Sequence, residues 1–256
     1  MTATGTFTPA PGTAPLPRMI VAQTVLETRL LLRNGEQLLL TVIIPALLLW
    51  LFSAVRIVDT GEGERVAFLA PGVLALAVLA TAFTGQAIAT GFERRYGVLK
   101  RLGASPLPRW ALMTAKTGSV LAIEALQVVL LVVIALALGW SPHGNPLVVA
   151  VLLVLGTASF SGLGLLMAGT LRAEATLAAA NLVFVLLLLT GGVLVPLDTF
   201  PEGVRPVLEA LPITALAEGL RDVLRDGAGT PWPELGVLAV WAVLGLAAAA
   251  RFFRWE

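Results

Sequence analysis

Six apolar runs, each long enough to cross a bilayer as a helix, alternate along the chain with polar stretches. They fall at residues 38–55, 66–92, 117–140, 147–171, 175–197 and 232–250. Three of the interruptions are brief. Residues 56–65 are acidic, with Asp59, Glu62 and Glu64; 141–146 read SPHGNP, a tight turn that makes the flanking spans an antiparallel hairpin; Arg172-Ala173-Glu174 is a minimal turn. The other two are longer and patterned. Residues 91–116, GFERRYGVLKRLGASPLPRWALMTAK, hold six of the seventeen Lys and Arg residues. Within them, 93–102 predicts a short surface helix with Gly97 as its one weak helix former, a break at Pro106 and Pro108, and a new helix near Arg109. Residues 198–233 are too mixed to span, but their apolar positions recur at helical spacing, which predicts one or two amphipathic or partly re-entrant helices.

Ahead of the first span, residues 19–39 interleave apolar side chains with Gln23, Glu27, Arg29, Arg33, Asn34, Glu36 and Gln37. Leu26, Leu30 and Arg33 share one helical spacing, and Glu27 and Leu31 another. This predicts an amphipathic helix lying along the membrane interface, with a plain extension of the first span as the alternative. Residues 1–18 are Pro-rich and uncharged until Arg18, without the basic and apolar regions of a signal peptide. They read as a disordered cytoplasmic tail, and 19–256 as a single transmembrane domain. Pro45 is expected to bend the first span, and Gly156, Gly162, Gly164 and Gly169 to give the fourth a close-approach surface.

Composition agrees with this pattern. Hydrophobic residues make up 57% of the chain and charged residues 13%, against roughly 25% in soluble domains; mean hydropathy is +0.91. No stretch has room for a soluble catalytic domain. Cysteine is absent and His143 is the single histidine, which excludes disulfides, thiolate chemistry and His-rich metal sites. A net charge of +1 gives no reason to expect nucleic acid. The charges are segregated, however. The side carrying both termini and the basic island holds twelve basic and five acidic residues; the other holds five basic and ten acidic. The positive-inside bias therefore places both termini in the cytoplasm. Trp110, Trp140, Trp232 and Trp255 fall near the expected interfaces, and Trp50 and Trp241 do not.

The candidate functional residues are few. Glu124 is the one carboxylate well inside a span, where a charge costs about 2.5–3.5 kcal/mol. Gln127 is its best-placed neighbour on the same helix. It can line a proton or substrate path, or hold helices together by a packed hydrogen bond, and no second buried acid or buried base is foreseen to form a relay. Gln86 and Asn181 pose the same choice. Asp222 and Asp226 beside Arg221 and Arg225 suggest surface ion pairs. The basic island can orient the chain, hold anionic lipid, or dock a cytoplasmic partner. No phosphate-binding loop or zinc-protease motif is present.

These residues resemble the membrane-spanning subunit of ABC-2 type exporters, in particular the daunorubicin/doxorubicin-resistance permease group. Four features carry the resemblance: residues 24–52, similar to the family's connecting helix and first span; FERRYGVLKRLGASPLPRWALMTAK at 92–116; GGVLVPLDTFPEGVRPVLEALPITALAEGLRDVL at 191–224; and six spans with both ends inside. In the second segment Glu93, Arg94, Tyr96, Gly97, Leu99, Leu102, Pro106 and Lys116 match the family's pattern, while Lys100 stands where an acid is common. The implied fold is an all-α polytopic membrane protein of the cell membrane, with six transmembrane helices, an N-terminal interfacial helix, a cytoplasmic coupling helix between spans 2 and 3, and outer re-entrant or amphipathic helices between spans 5 and 6. The implied activity is ATP-driven export of a hydrophobic or amphiphilic substrate, such as a drug, natural product or lipid. ATP and Mg would be bound by separate cytoplasmic ATPase subunits, with no catalysis and no cofactor in this chain. A second permease subunit, identical or paralogous, and membrane lipids complete the implied partners. Coupling to the ATPase falls to Glu93, Arg94, Arg95, Tyr96, Gly97, Leu99, Lys100, Arg101 and Leu102. Glu27, Arg29, Arg33 and Glu36 lie on the interfacial helix. A proton-coupled secondary transporter using Glu124 and a non-transport scaffold are the competing readings.

Overall fold

The computed structural model describes residues 12–54 and 65–253, without the side chains of 36–42 and 52–54. The described residues form eleven α-helices and no strand. α1 (Leu16–Arg33) starts behind Pro15 and stops at Asn34, and α2 (Gly35–Ala54) follows at once. The surface helix and the first span are thus separate helices, and α1 begins inside the stretch that composition alone suggests is a tail. α1 lies against α6 (Arg109–Ala137) and turns Glu27 inward. The end of the first expected span beyond Ala54 and the acidic residues 56–64 lie outside the described residues.

The bundle is built around the second apolar run. α3 (Arg65–Val78), a π-helical segment at Leu79–Gly85 and α4 (Gln86–Arg95) join into one rod of 31 residues, the most deeply buried of the long helices. Pro71 sits inside α3 without ending it. α5 (Val98–Gly103) is short; α6, α7 (Pro146–Thr170), α8 (Ala173–Thr190) and α10 (Pro212–Leu224) pack on the rod, α11 (Trp232–Phe252) lies against α7 and α10, and α9 (Arg205–Glu209) precedes α10. Among the described residues five segments are long and apolar enough to cross a membrane: 65–95, 109–137, 146–170, 173–190 and 232–252. α6 begins at Arg109, where the sequence places a new helix, and runs into the third expected span without a break, because nothing after Pro108 interrupts a helix and Lys116 is absorbed inside the bundle. One boundary differs clearly from the sequence reading. α8 ends at Thr190 rather than 197, where Gly191 and Gly192 follow and Gly192 takes φ 68°.

Arg221 fastens the end of the bundle opposite the basic loop. It is 3% exposed, its Nη2 donates to the Val193 carbonyl at 2.8 Å, its Nη1 pairs with Glu218 at 2.5 Å, and its guanidinium lies 3.9 Å from the Phe68 ring centroid. Of the expected surface pairs, Arg225 meets Asp226 at 3.8 Å, while Arg221 turns to Glu218 instead. The reason is that α10 buries nearly its whole circumference, so Arg221 must find partners inside.

Candidate functional site

The segment between the rod and α6 is a helix–turn–helix, not one helix over 93–102. α4 ends at Arg95, Tyr96 and Gly97 turn the chain, and α5 begins at Val98. Gly97 takes φ 72°, a left-handed conformation that costs a side-chain-bearing residue roughly 1–2 kcal/mol. Leu99 is fully buried, in a cluster with Leu107, Leu112, Leu165 and Phe253. Arg94 donates to the Leu171 carbonyl, Arg95 pairs with Glu174, and Arg109 reaches the Phe253 carbonyl at 3.4 Å. One face of the loop is therefore clamped to the α7–α8 turn and the end of α11. Tyr96, Val98, Lys100 and Arg101 are exposed on it, and Leu102 is half-buried.

Behind this loop lies a charged triad. Lys116 on α6 is 4% exposed; its ammonium lies 2.6 Å from Glu93 Oε2 on α4 and 3.2 Å from Glu27 Oε1 on α1. Gln23 Nε2 also donates to Glu27 Oε1, at 2.8 Å. Three helices are joined through one nitrogen. A buried base is thus present after all, and a buried acid besides Glu124: the paired charges of Lys116 and Glu27 offset a burial cost that neither could bear alone. Arg29, Arg33 and Asn34 are exposed, and the side chain of Glu36 lies outside those described. The triad forms one wall of a cavity of about 50 Å³, enough for one or two water molecules, that runs up the rod past Thr90, Gln86 and Thr81. Both amide atoms of Gln86 and the Thr90 hydroxyl are buried there without a hydrogen-bond partner among the described residues. The π-helical segment faces the same cavity with Thr81 and Gly85, a distortion often found at functional positions.

Further along, the polar groups pair across helices. Thr81 donates to Gln127 Oε1 at 3.1 Å, linking the rod to α6. Glu124 accepts from Thr157 on α7, while its Oε1 has no partner among the described residues. Glu124 and Gln127 therefore look to different helices rather than to one another. Asn181 is exposed on α8, its amide turned back to the Leu177 carbonyl four residues earlier, so among the described residues it joins no second helix. No group of three or more His, Cys, Asp or Glu among the described residues is placed to hold a metal ion.

The sequence profile of the ABC-2 type transporter family matches residues 20–224, which takes in the triad, the loop and the buried rod. The chain belongs to the ABC-2 type transporter family. Two similar proteins are the putative transport permease YvfS of Bacillus subtilis, 24% identical over 87% of this chain and 91% of that protein, and the putative transport permease ycf38 of Porphyra purpurea. The latter is 28% identical over 64% of this chain and 57% of its own length. The protein is a membrane-embedded ABC-2 type permease subunit.

In this permease the sequence located the loop but missed the cavity behind it. Lys116 stands at the end of the basic island and reads as one more loop charge. Its one distinguishing signal is spacing: Lys116, Ser119, Ile123 and Gln127 recur at three and four residues along one face of α6. A Cβ at Gly97 would meet nothing within 4 Å, so the cost of substitution there is conformational, not steric. Gly97→Val should lower stability by about 1–2 kcal/mol, and Gly97→Asn by visibly less, since Asn tolerates the left-handed region. Thermal unfolding of the two variants in nanodiscs checks the order.

Proposed function

We propose that this chain is the membrane half of an ATP-driven exporter, akin to the daunorubicin/doxorubicin-resistance permeases, that moves a hydrophobic or amphiphilic substrate outward. A separate cytoplasmic ATPase would bind ATP and Mg and hydrolyse ATP, and two permease chains, identical or paralogous, would enclose the path. The twelve-to-five excess of basic residues on one side supports a cytoplasmic position for both termini and the basic loop. The observation that carries the reading is the two-sided loop. Leu99 is locked into the bundle while Tyr96, Val98, Lys100 and Arg101 project from it. A loop that only oriented the chain needs charge and no fixed shape; a loop that transmits movement needs an anchored face and a presented one. Glu93 then carries displacement of the loop through Lys116 to α1 and α6. ATP can drive this only by favouring one arrangement of the partner ATPase over the other.

Co-expression with the candidate ATPase tests this. Wild type should copurify with it and stimulate ATP turnover in nanodiscs. Tyr96→Ala combined with Arg101→Glu should reduce copurified ATPase about tenfold or more, the scale expected when an aromatic anchor and a rim charge are lost together. Its thermal midpoint should stay close to wild type, because both side chains are exposed. An undiminished yield of complex would reject the loop as the docking element. A proton-coupled carrier using Glu124 would instead transport without any ATPase and lose that transport in Glu124→Gln.

A further inference from the structure

The three basic residues of α1 fall on one line along the helix. Arg18, Ala22, Val25, Arg29 and Arg33 follow one another at intervals of four, three, four and four residues, the repeat of a single helical face. That face points away from Glu27, the buried residue through which α1 holds Lys116. All three arginines are exposed, and none has a hydrogen-bond or ion-pair partner among the described residues. Glu27 is the one acid of α1, so its withdrawal into the triad leaves the outer surface of the helix with positive charge alone.

The residues flanking the line decide what it meets. A face turned to water would be polar on both sides. Here Val21 and Leu32 lie along one side and Leu26 and Leu30 along the other, each at least 45% exposed. Guanidinium groups set between exposed aliphatic chains suit the head-group layer of a bilayer. Phosphates there meet the charge, and the acyl boundary covers the side chains. The position of α1 agrees. It passes at Asn34 straight into α2, the apolar helix expected as the first span, so Arg33 stands two residues from the start of that helix. An acidic cytoplasmic protein would answer the charge, but nothing about it answers the tether that holds α1 at the foot of a span.

We propose that the outer face of α1 is a binding surface for anionic phospholipid head groups, with Arg18, Arg29 and Arg33 as its contacts. Guanidinium forks bind phosphate oxygens in pairs, which any phospholipid allows. A head group with net negative charge adds an attraction that a zwitterionic one cancels, so the surface selects by lipid charge. It is separate from the coupling loop. It requires only that the chain be embedded in a membrane, and depends neither on export nor on an ATPase.

Because the chain has no cysteine, Ala22→Cys gives a single attachment point for a bimane fluorophore on the arginine line. The labelled full chain is reconstituted in phosphatidylcholine vesicles with rising fractions of spin-labelled phosphatidylglycerol or spin-labelled phosphatidylcholine as quencher. Half-quenching is expected at a mole fraction at least about fivefold lower for the anionic lipid, the preference that one basic residue near an anionic surface confers. The preference should vanish when Arg18→Gln, Arg29→Gln and Arg33→Gln are combined, and fade at about 1 M KCl, where charges are screened within a few ångströms. A bimane at Ser141→Cys, in the exposed turn between α6 and α7, should meet both lipids alike. The triple variant should keep its thermal midpoint, because the three side chains are exposed; if it misfolds, Arg29→Gln alone carries the test with a smaller loss of preference. Equal quenching by the two lipids at Ala22→Cys, or a preference that survives in the folded variant, would overturn the proposal. Equal quenching together with loss of a copurified ATPase in the triple variant would assign the arginines to a protein partner instead.

Discussion

Lys116→Met is expected to destabilise the permease by about 3–5 kcal/mol, because removing one partner of a buried ion pair leaves the other charges buried without compensation. Here two carboxylates lose their partner together. The effect should fall in the lower part of that range, since the Glu93 side chain keeps 25% of its surface exposed and Glu27 retains the Gln23 amide. The informative comparison is the neutral triple variant, Glu27→Gln with Glu93→Gln and Lys116→Met. It removes every charge of the triad, so the burial penalty goes with the attraction, and most of the lost stability should return. Reversible unfolding in nanodiscs measures both. If Lys116→Met alone unfolds like wild type, the triad does not fasten α1, α4 and α6. On the proposed coupling route the triple variant should still assemble with the ATPase, yet its ATP turnover should respond less to substrate, because the charged link from Glu93 through Lys116 to α1 and α6 is gone.

The loop was legible in the sequence and the cavity was not, and the difference is one of range. Glu93, Tyr96, Gly97 and Leu99 sit within seven residues, so local breakers and charge density mark their segment, although the left-handed turn at Gly97 shows only when the backbone is seen. Lys116, Glu93 and Glu27 come from three helices spread over ninety residues. Nothing local says that a lysine closing a basic loop will turn inward, because a lysine at a membrane surface can equally snorkel outward. The same holds for Arg221, which reads as one half of a surface pair until α10 is seen buried on all sides. Span positions were read well where Pro or a turn bounds them, as at 146–170, and less well where the apolar run outlasts the helix, as beyond Thr190. Asn181 shows the converse case. A polar residue within an apolar run suggests an interior contact, yet α8 turns it to the surface of the chain.

The close approach of α7 and α11 should make glycine-to-alanine costly at Gly162 and Gly245, while the same substitution at Gly236, which meets no neighbour, should stabilise. Helices in lipid gain little from burying apolar surface against each other, so their association rests on packing, and small residues set how closely backbones meet. At Gly162 an added Cβ would lie 2.6 Å from the Gly245 carbonyl carbon and 2.6 Å from the Leu246 nitrogen. Those are backbone atoms, which no rotamer change can move aside, so Gly162→Ala must push α11 away and loosen the contacts on either side. A loss of about 2–3 kcal/mol is expected, in the upper part of the range for overpacking. From the other helix the same contact is gentler: a Cβ at Gly245 would stand 3.3 Å from the Gly162 carbonyl carbon, and Gly245→Ala should cost less. Gly236, also on α11, would meet nothing within 4 Å, so Gly236→Ala should gain up to about 1 kcal/mol from helix propensity alone. Thermal midpoints should therefore descend from Gly236→Ala through wild type and Gly245→Ala to Gly162→Ala. A Gly162→Ala midpoint at or above wild type would mean that α7 and α11 do not touch through these glycines.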